Sequence, residues 1–482
     1  MSTAVVVHYT GATRQSRSVA TSLVADLVDE GHRVIVADIS NFTTINQDFP
    51  PSWLVRLCGH KVFPGAFATA VTKSGAEHRP LATTRESPQP TIPHEAREDI
   101  LIAIESELLT YFRRETLEPP NSYVRWLRSA LTRRTEEAYA SLANLFASEA
   151  PELVLVPNGR TSRQKAARKA AEHAGASVEF YEMGRAQGNH YYRGTTQPHD
   201  RLASQAEVTK VTKHLSARKI RALAEAWQEE RMSPSSQTNS FSAGWNVPAD
   251  HRAKSAKKTA PKKAVFFSSS ADEFMAFGPM WNIDSWSSQF EAFDLMMSHF
   301  ENQGVALEMR LHPNLTGKSR SYFLETVRSV KELANRHPGL TVHWHNSPVN
   351  SYELIYSADY VVAERSTIAL EANLLGKPVW INQAAQWDLI ADVRQVLSPT
   401  DITPELMTPW QIDPAPAQRF VAYWMVQERP LRFSWKDWAT WNPDTAPLAL
   451  RVALLFVKNP WRHRAHLLGL EWAKIQNSFF RG

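Results

Sequence analysis

A histidine beside an arginine, directly after an apolar run, is well suited to stabilise a departing phosphate. The run Arg310-Leu311-His312-Pro313-Asn314 has that form, and its proline stiffens the turn that aims the histidine. The types present allow charge-assisted hydrogen bonds to a phosphate or diphosphate leaving group. They equally allow a strand-ending turn with a capping histidine. A second His-Pro, His337-Pro338-Gly339, falls between a helix and a strand and reads as an ordinary turn.

Three further runs follow predicted strands. Glu364-Arg365-Ser366-Thr367 precedes the helical pattern IALEANLLG. Ser366 or Thr367 would sit at that helix's N-terminus, where free N–H groups and the dipole favour an anion; an N-cap serine accounts for the same residues. Glu371 lies one turn further on, placed either to meet a ribose or sugar hydroxyl or to be a surface acid. Ser268-Ser269-Ser270-Ala271-Asp272-Glu273 offers small hydroxyls for close approach to a ligand, or a polar loop without a role. Asn158-Gly159-Arg160 and Glu182-Met183-Gly184 end two successive strands. Neighbouring parallel strands would put Arg160 and Glu182 on one rim, where a carboxylate deprotonates an acceptor hydroxyl or simply pairs with the arginine. Tyr191, Tyr192, His199 and Asp200 follow in a polar loop.

The elements that position these runs are α/β in pattern. Val5–His8, a helix over Ser16–Glu30 and Arg33–Ile39 form one β-α-β unit. Residues 42–95 read as a loop-rich insertion, followed by helices over Glu95–Glu115 and Tyr123–Ser148. A second unit covers 152–182, and one helical stretch spans 206–231. A segment rich in serine, lysine and proline then reads as a linker. From Ala264 to Asn382, strands and helices alternate again. The expected domains are 1–231, a linker at 232–262, 263–402, and a helical extension at 403–482. Ligands of doubly wound sheets bind beyond the carboxyl ends of the strands, which is where the four runs lie.

Composition fits this reading. The chain has 482 residues, 43% hydrophobic and 21% charged, which suits two packed α/β cores and not disorder. A net charge of +5 suits anionic ligands without demanding nucleic acid, for which no signature is found. The single cysteine, Cys58, excludes an intramolecular disulfide and fits a reducing, cytoplasmic setting; it reads as a small apolar residue or a thiol nucleophile. No apolar run reaches the roughly 20 residues of a membrane helix. The basic, leucine- and tryptophan-rich segment 451–482 reads either as an amphipathic helix on the inner membrane face or as a helix packed on the first domain. Many of the sixteen tryptophans lie after residue 280, fit for packing or for stacking on sugar rings.

Taken together, N-G-R at 158–160, E-x-G at 182–184, His199-Asp200, S-S-S-A-D-E-F, R-L-H-P, A-D-Y-V-V-A-E-R-S-T and E-A-N-L-L-G-K-P-V resemble the capsule polysaccharide biosynthesis transferases, which include Kdo transferases. The His-Pro and Ser-Thr pair is also similar to motifs of bacterial sialyltransferases and, more loosely, of teichoic-acid glycerophosphotransferases. The resemblance covers about residues 150–385. It implies a GT-B fold, two Rossmann-like domains facing a cleft, and transfer of a sugar from a CMP-, UDP- or GDP-linked donor to a glycan or glycolipid acceptor. It implies that His312, with Arg310, Pro313, Ser268, Ser269, Ser366, Thr367 and Glu371, serves the nucleotide-sugar. Glu182 and Arg160 would serve the acceptor. The acidic D/E-D/E-G motif of sialyltransferases has no counterpart, and Glu182 is the nearest carboxylate. No Asp-x-Asp is present, and no metal is expected. The same fold is used by glycerophosphate or phosphosugar transferases and by nucleotide-sugar 2-epimerases. A membrane-docked assembly protein without catalysis is the reading from a different class.

Overall fold

The computed structural model describes residues 1–9, 14–42, 64–82, 90–112, 117, 120, 122–233, 236, 261–269, 280, 281, 283, 285–313, 315 and 320–433. Two compact units are present. Among the described residues, one comprises those within 1–185, 189–199 and 427–433; the other comprises 186–188 and those within 200–426.

In the first unit, β-branched runs form buried strands because their side chains pack well on a pleated surface. The strands are β1 (Thr3–His8), β2 (Arg33–Asp38), β3 (Glu77–Pro80), β4 (Leu153–Pro157), β5 (Ser177–Met183), β6 (His190–Gly194) and β13 (Glu428–Pro430). Their spatial order is β3-β2-β1-β4-β5-β6-β13. The first five are parallel, and β6 and β13 add antiparallel pairs. Alternate residues serve opposite faces. Val5, Val7, Ile35, Val154 and Val156 pack against the helices His94–Phe112, Ser122–Glu149 and Ser162–His173. Ala4, Val6, Val34, Val36 and Leu155 pack against Arg14–Asp29 and Pro64–Lys73. The chain reverses its outward course between β1 and β4, which makes their carboxyl ends the switch point.

The second unit holds β7 (Lys263–Phe267), β8 (Ala306–Arg310), β9 (Thr341–His343), β10 (Tyr360–Ala363), β11 (Val379–Ile381) and β12 (Arg394–Gln395). All are parallel, in the order β9-β8-β7-β10-β11-β12. Counted within the unit this is 3-2-1-4-5-6, the order of doubly wound nucleotide-binding sheets, with its switch point between β7 and β10. One face (Ala264, Phe266, Val362, Trp380) is covered by Gln289–Glu301 and Arg320–Arg336. The other (Val265, Phe267, Val361, Ala363, Ile381) meets Ala217–Met232, Ser351–Ser357, Thr367–Leu374 and Ala415–Gln427. Trp281, Trp380 and Trp387 are fully buried, so these three are packing tryptophans.

Three expectations need correction. Residues 42–95 are not all irregular, because Pro64–Lys73 is a helix and β3 extends the sheet; β3 is a short polar edge strand without an apolar run. The stretch expected as one helix over 206–231 is two, Arg201–Thr212 and Ala217–Met232, since Ser216 caps the second by accepting from Lys219 N at 3.2 Å. The end of the chain is not helical throughout: after Ala415–Gln427 comes β13, an antiparallel strand on β6. Cys58, most of the expected linker and the segment 451–482 lie outside the described residues.

Candidate functional site

In the second unit the carboxyl edges of β7, β8 and β10 bring the expected donor residues to one rim. Phe267 is in register with both Ala363 and Arg310, so Ser268 follows one strand end and Glu364 its neighbour. The loop after β7 is held on both sides. Ser268 N donates to Arg310 O at 3.1 Å, and His312 N donates to Ser268 Oγ at 2.9 Å. Ser269 N donates to Gln289 Oε1 at 3.0 Å, and Gln289 Nε2 returns a bond to Ser269 O at 3.3 Å. Ser268, Ser269, His312, Gln289, Tyr322 and Thr326 line a narrow depression that is partly open to solvent. Pro313 follows His312 and is partly exposed.

Ser366 is the N-cap of Thr367–Leu374, accepting from Ile368 N at 3.4 Å. Thr367 is exposed and its Oγ1 accepts from Arg231 Nη2 at 3.2 Å. Three hydroxyls, on Ser268, Ser366 and Thr367, therefore each accept from an N–H. None of them donates to another described residue. A hydroxyl has one hydrogen to give in addition to its lone pairs, so each of the three has a hydrogen available to a ligand.

Arg310 and Glu371 lie deeper than expected. Arg310 is 2% exposed; its guanidinium donates to the carbonyls of Trp344 and Ser347, and burial pulls its pKa down to about 10. Its head group is thus committed to the turn after β9. Glu371 is no surface acid but wholly buried. Arg231 Nε donates to its Oε1 at 2.8 Å, while Oε2 has no hydrogen-bond partner. The rim also holds the buried neighbours Glu364 and Arg365, whose charged groups are 3.8 Å apart.

In the first unit the register Pro157↔Tyr181 puts Asn158 beside Glu182. Asn158 Nδ2 lies 2.6 Å from Glu182 Oε1 and 2.9 Å from His199 Nε2. The amide donates to the carboxylate and faces the imidazole. Arg185 Nη2 donates to Glu182 Oε2 at 3.1 Å and lies 3.1 Å from His199 Nδ1. Burial, then the charges of Arg185 and Arg160, hold the His199 pKa well below the usual imidazole range. His199 is therefore neutral at pH 7, with one ring nitrogen accepting and the other carrying a hydrogen, so its tautomer decides whether Nε2 accepts from Asn158 or Nδ1 from Arg185. Asn158 and Gly159 both have positive φ, 54° and 78°. A Cβ on Gly159 would stand 2.6 Å from Phe180 Cε1, so only glycine fits there.

Arg160 is on the same rim but does not pair with Glu182. It donates to Ser106 Oγ at 3.4 Å and to Thr110 Oγ1 of the helix His94–Phe112. The following helix, Ser162–His173, already carries an anion at its N-terminus, because Ser162 N and Oγ donate to Glu107 Oε2 at 3.1 and 2.6 Å. Tyr191 and Tyr192 are packing residues: Tyr191 is wholly buried, and Tyr192 OH donates to Thr196 O at 2.5 Å. Asp200 caps Arg201–Thr212 through Ala203 N at 2.9 Å. His337 is likewise structural, its ring nitrogens 2.5 Å from Glu301 Oε2 and 2.9 Å from Asp294 Oδ1.

Reasoning from sequence missed Arg185, Arg231 and His8. Arg185 lies three residues past Glu182, a spacing that could have flagged it. Arg231 sits 140 residues from Glu371 inside an ordinary amphipathic helix, with no local signal. His8 ends β1 at the other switch strand, fully buried 4.5 Å from the Phe67 ring, and burial drives its pKa down to about 3. Among the described residues no group of three or more His, Cys, Asp or Glu is arranged to hold a metal ion. None of the described helices is long and apolar enough to cross a membrane.

Among solved structures the chain is similar to a β-Kdo 2,7 transferase, KpsC of Thermosulfurimonas dismutans, at 16% identity and a TM-score of 0.34, over 59% of this chain and 79% of that one. It is similar to the S. aureus MnaA–UDP structure at 12% identity and a TM-score of 0.29, over 90% and 100%. It is also similar to the UDP-GlcNAc 2-epimerase of Neisseria meningitidis bound to UDP-GlcNAc, at 11% identity and a TM-score of 0.29, over 88% and 100%. No family model matches the chain, and no curated protein does.

Proposed function

We propose that the protein is a glycosyltransferase of GT-B organisation that uses a CMP-, UDP- or GDP-linked sugar and extends a polysaccharide or glycolipid of the cell surface. The observation that supports this reading is the set of hydroxyls on Ser268, Ser366 and Thr367, each accepting from an N–H, with His312 beside Ser268 at the strand ends of a 3-2-1-4-5-6 sheet. Such a rim suits the phosphate of a nucleotide.

In this reading the phosphate oxygens accept hydrogen bonds from Ser366, Thr367 and the first N–H groups of Thr367–Leu374. His312 and Ser268 meet the bridging oxygen as it leaves. On the first unit, Glu182, oriented by Asn158 and Arg185, is the carboxylate we propose as base for an acceptor hydroxyl. The acceptor oxygen then bonds to the anomeric carbon as the bond from that carbon to the phosphate oxygen breaks. The nucleotide departs with the electron pair, its charge met by the donors of the second unit. Arg310 supports the turn and Arg160 braces the rim against Ser106 and Thr110. The protein acts in the cytoplasm, and the basic segment 451–482 is proposed to touch the inner membrane face.

The test is nucleotide release from CMP-, UDP- and GDP-linked sugars in the presence of glycan acceptors. Wild type should release one nucleotide in an acceptor-dependent way, and His312→Ala should lose turnover while keeping its fold by circular dichroism. Near-normal release by that variant would contradict the assignment. Conversion of the donor without an acceptor would indicate epimerase chemistry instead.

A further inference from the structure

Arg231 stands on the last turn of Ala217–Met232, yet its side chain is only 11% exposed, and its partners include residues of two helices. Nε donates to Glu371 Oε1 at 2.8 Å. The guanidinium carbon lies 5.1 Å from the centroid of the Trp227 ring. Nη2 donates to Thr367 Oγ1 at 3.2 Å. Glu371 is wholly buried and holds the arginine through one oxygen only. Taking both charges out of water is costly, and a well-packed apolar pair would often be as stable. An ion pair of this kind is therefore poorly explained by stability alone, and its geometry has to be asked what it does.

We infer that Arg231 is a positioning residue that sets the polarity of the Thr367 hydroxyl. The inference rests on the proposed nucleotide site. A planar guanidinium offers donors in a fixed fork. With Nε pinned by Glu371 and one face covered by Trp227, Nη2 is left at a defined place against Thr367 Oγ1. Arginine has no acceptor, so Thr367 can only accept from it. One lone pair of the hydroxyl is thereby occupied and its hydrogen is turned away from the guanidinium. A hydroxyl that accepts from a cation is also a better donor, because successive hydrogen bonds polarise one another. Thr367 is the first residue of its helix, so the hydrogen is presented where an anion meets the helix N–H groups. Glu371, which the sequence suggests for a ribose hydroxyl, here fixes Arg231 instead.

Calorimetric titration of CMP, UDP and GDP into wild type, Arg231→Gln, Thr367→Val and the double variant tests the coupling. The expected result is one nucleotide bound by wild type, weakened about five- to tenfold by either single change, as for loss of one charge-assisted bond. The double variant should be no weaker than the weaker single one. Thr367→Ser, which keeps the hydroxyl, should restore wild-type affinity and again respond to Arg231→Gln. Should Arg231→Gln not fold, Arg231→Lys runs the same cycle: it keeps a charge on Glu371 but lacks the fork, so it should bind as weakly as Thr367→Val. Wild-type affinity in the Arg231 variants, or single losses that multiply in the double variant, would overturn the inference while leaving the nucleotide site standing. No binding of any nucleotide by wild type would overturn the site and the inference together.

Discussion

The two sheets share a winding order around their first strand, yet their switch points are furnished in opposite ways. Beside β4 the protein fills its own anion site: Glu107 sits on the N-terminus of Ser162–His173, and Arg160 is taken up by Ser106 and Thr110. What remains on that rim is a carboxylate, Glu182, held by donors. Beside β10 the helix N-terminus is capped by its own Ser366, and the hydroxyls of Ser268, Ser366 and Thr367 donate to none of the described residues. One topology thus yields a rim whose helix N-terminus already carries Glu107 and a rim lined by hydroxyls, which we propose takes the phosphate. The difference rests on side chains brought in from other elements, not on the sheets.

The sharpest way to break this contrast is Glu182→Gln. It should lower turnover about 10²- to 10⁴-fold, the range for general-base loss, while the nucleotide affinity of the second unit stays within twofold. An equal loss in affinity would show that the two rims are not specialised as described. Gly159→Ala should destabilise the first unit by about 1–3 kcal/mol, from a strained left-handed backbone and the clash with Phe180; the fluorescence-detected melt of that unit reports it. An unchanged melt would mean that the 158–160 turn relaxes freely. Ser366→Ala removes both the cap and one donor. It should cost about 1 kcal/mol of stability and weaken nucleotide binding a few-fold, whereas Thr161→Ala at the matching cap of the first unit should leave binding untouched.

The smallest effect concerns acid. His8 has a folded pKa of about 3 against an ordinary 6.5, chiefly through burial. Between those values the unfolded chain binds a proton that the native state refuses, so its contribution is complete above about pH 6.5 and is lost as pH falls toward 3. Asp38, lowered by its bonds from His78 and Ser40 against the opposing effect of burial, loses stability in the same direction at lower pH. Melting of the first unit should fall by a few degrees from pH 7 to pH 5, and His8→Asn should flatten that slope. An equally steep slope in the variant would place the acid sensitivity elsewhere.

Much of this was legible in the sequence because it depends on neighbours along the chain. The runs AVVVH, VIVAD, LVLVP, AVFF and YVVA announce buried parallel strands, and residues immediately after them had to stand on the rims. Asn158, Ser268 and Ser366 were placed in that way, while Glu182 lies near the end of β5 and His312 follows β8. What was not legible depends on pairing across long separations. Arg231 reaches Glu371 from another helix, so Glu371 read as exposed when it is buried. Arg310 ends a strand as a phosphate ligand would, but the carbonyls of Trp344 and Ser347 capture it. Strands β3 and β13 are short, polar edge elements held by backbone pairing, which no periodicity marks.

The central claim is that the rim beside β10 is a nucleotide site, and ligand-induced thermal stabilisation tests it most directly. Melting of wild type, His312→Ala and Thr367→Val should be followed with CMP, CDP, UDP, GDP and ADP, since a ligand that binds only the native state raises the melting temperature by mass action. One nucleotide should stabilise wild type clearly and both variants much less. Equal stabilisation of all three proteins, or none of any protein by any nucleotide, would contradict the assignment.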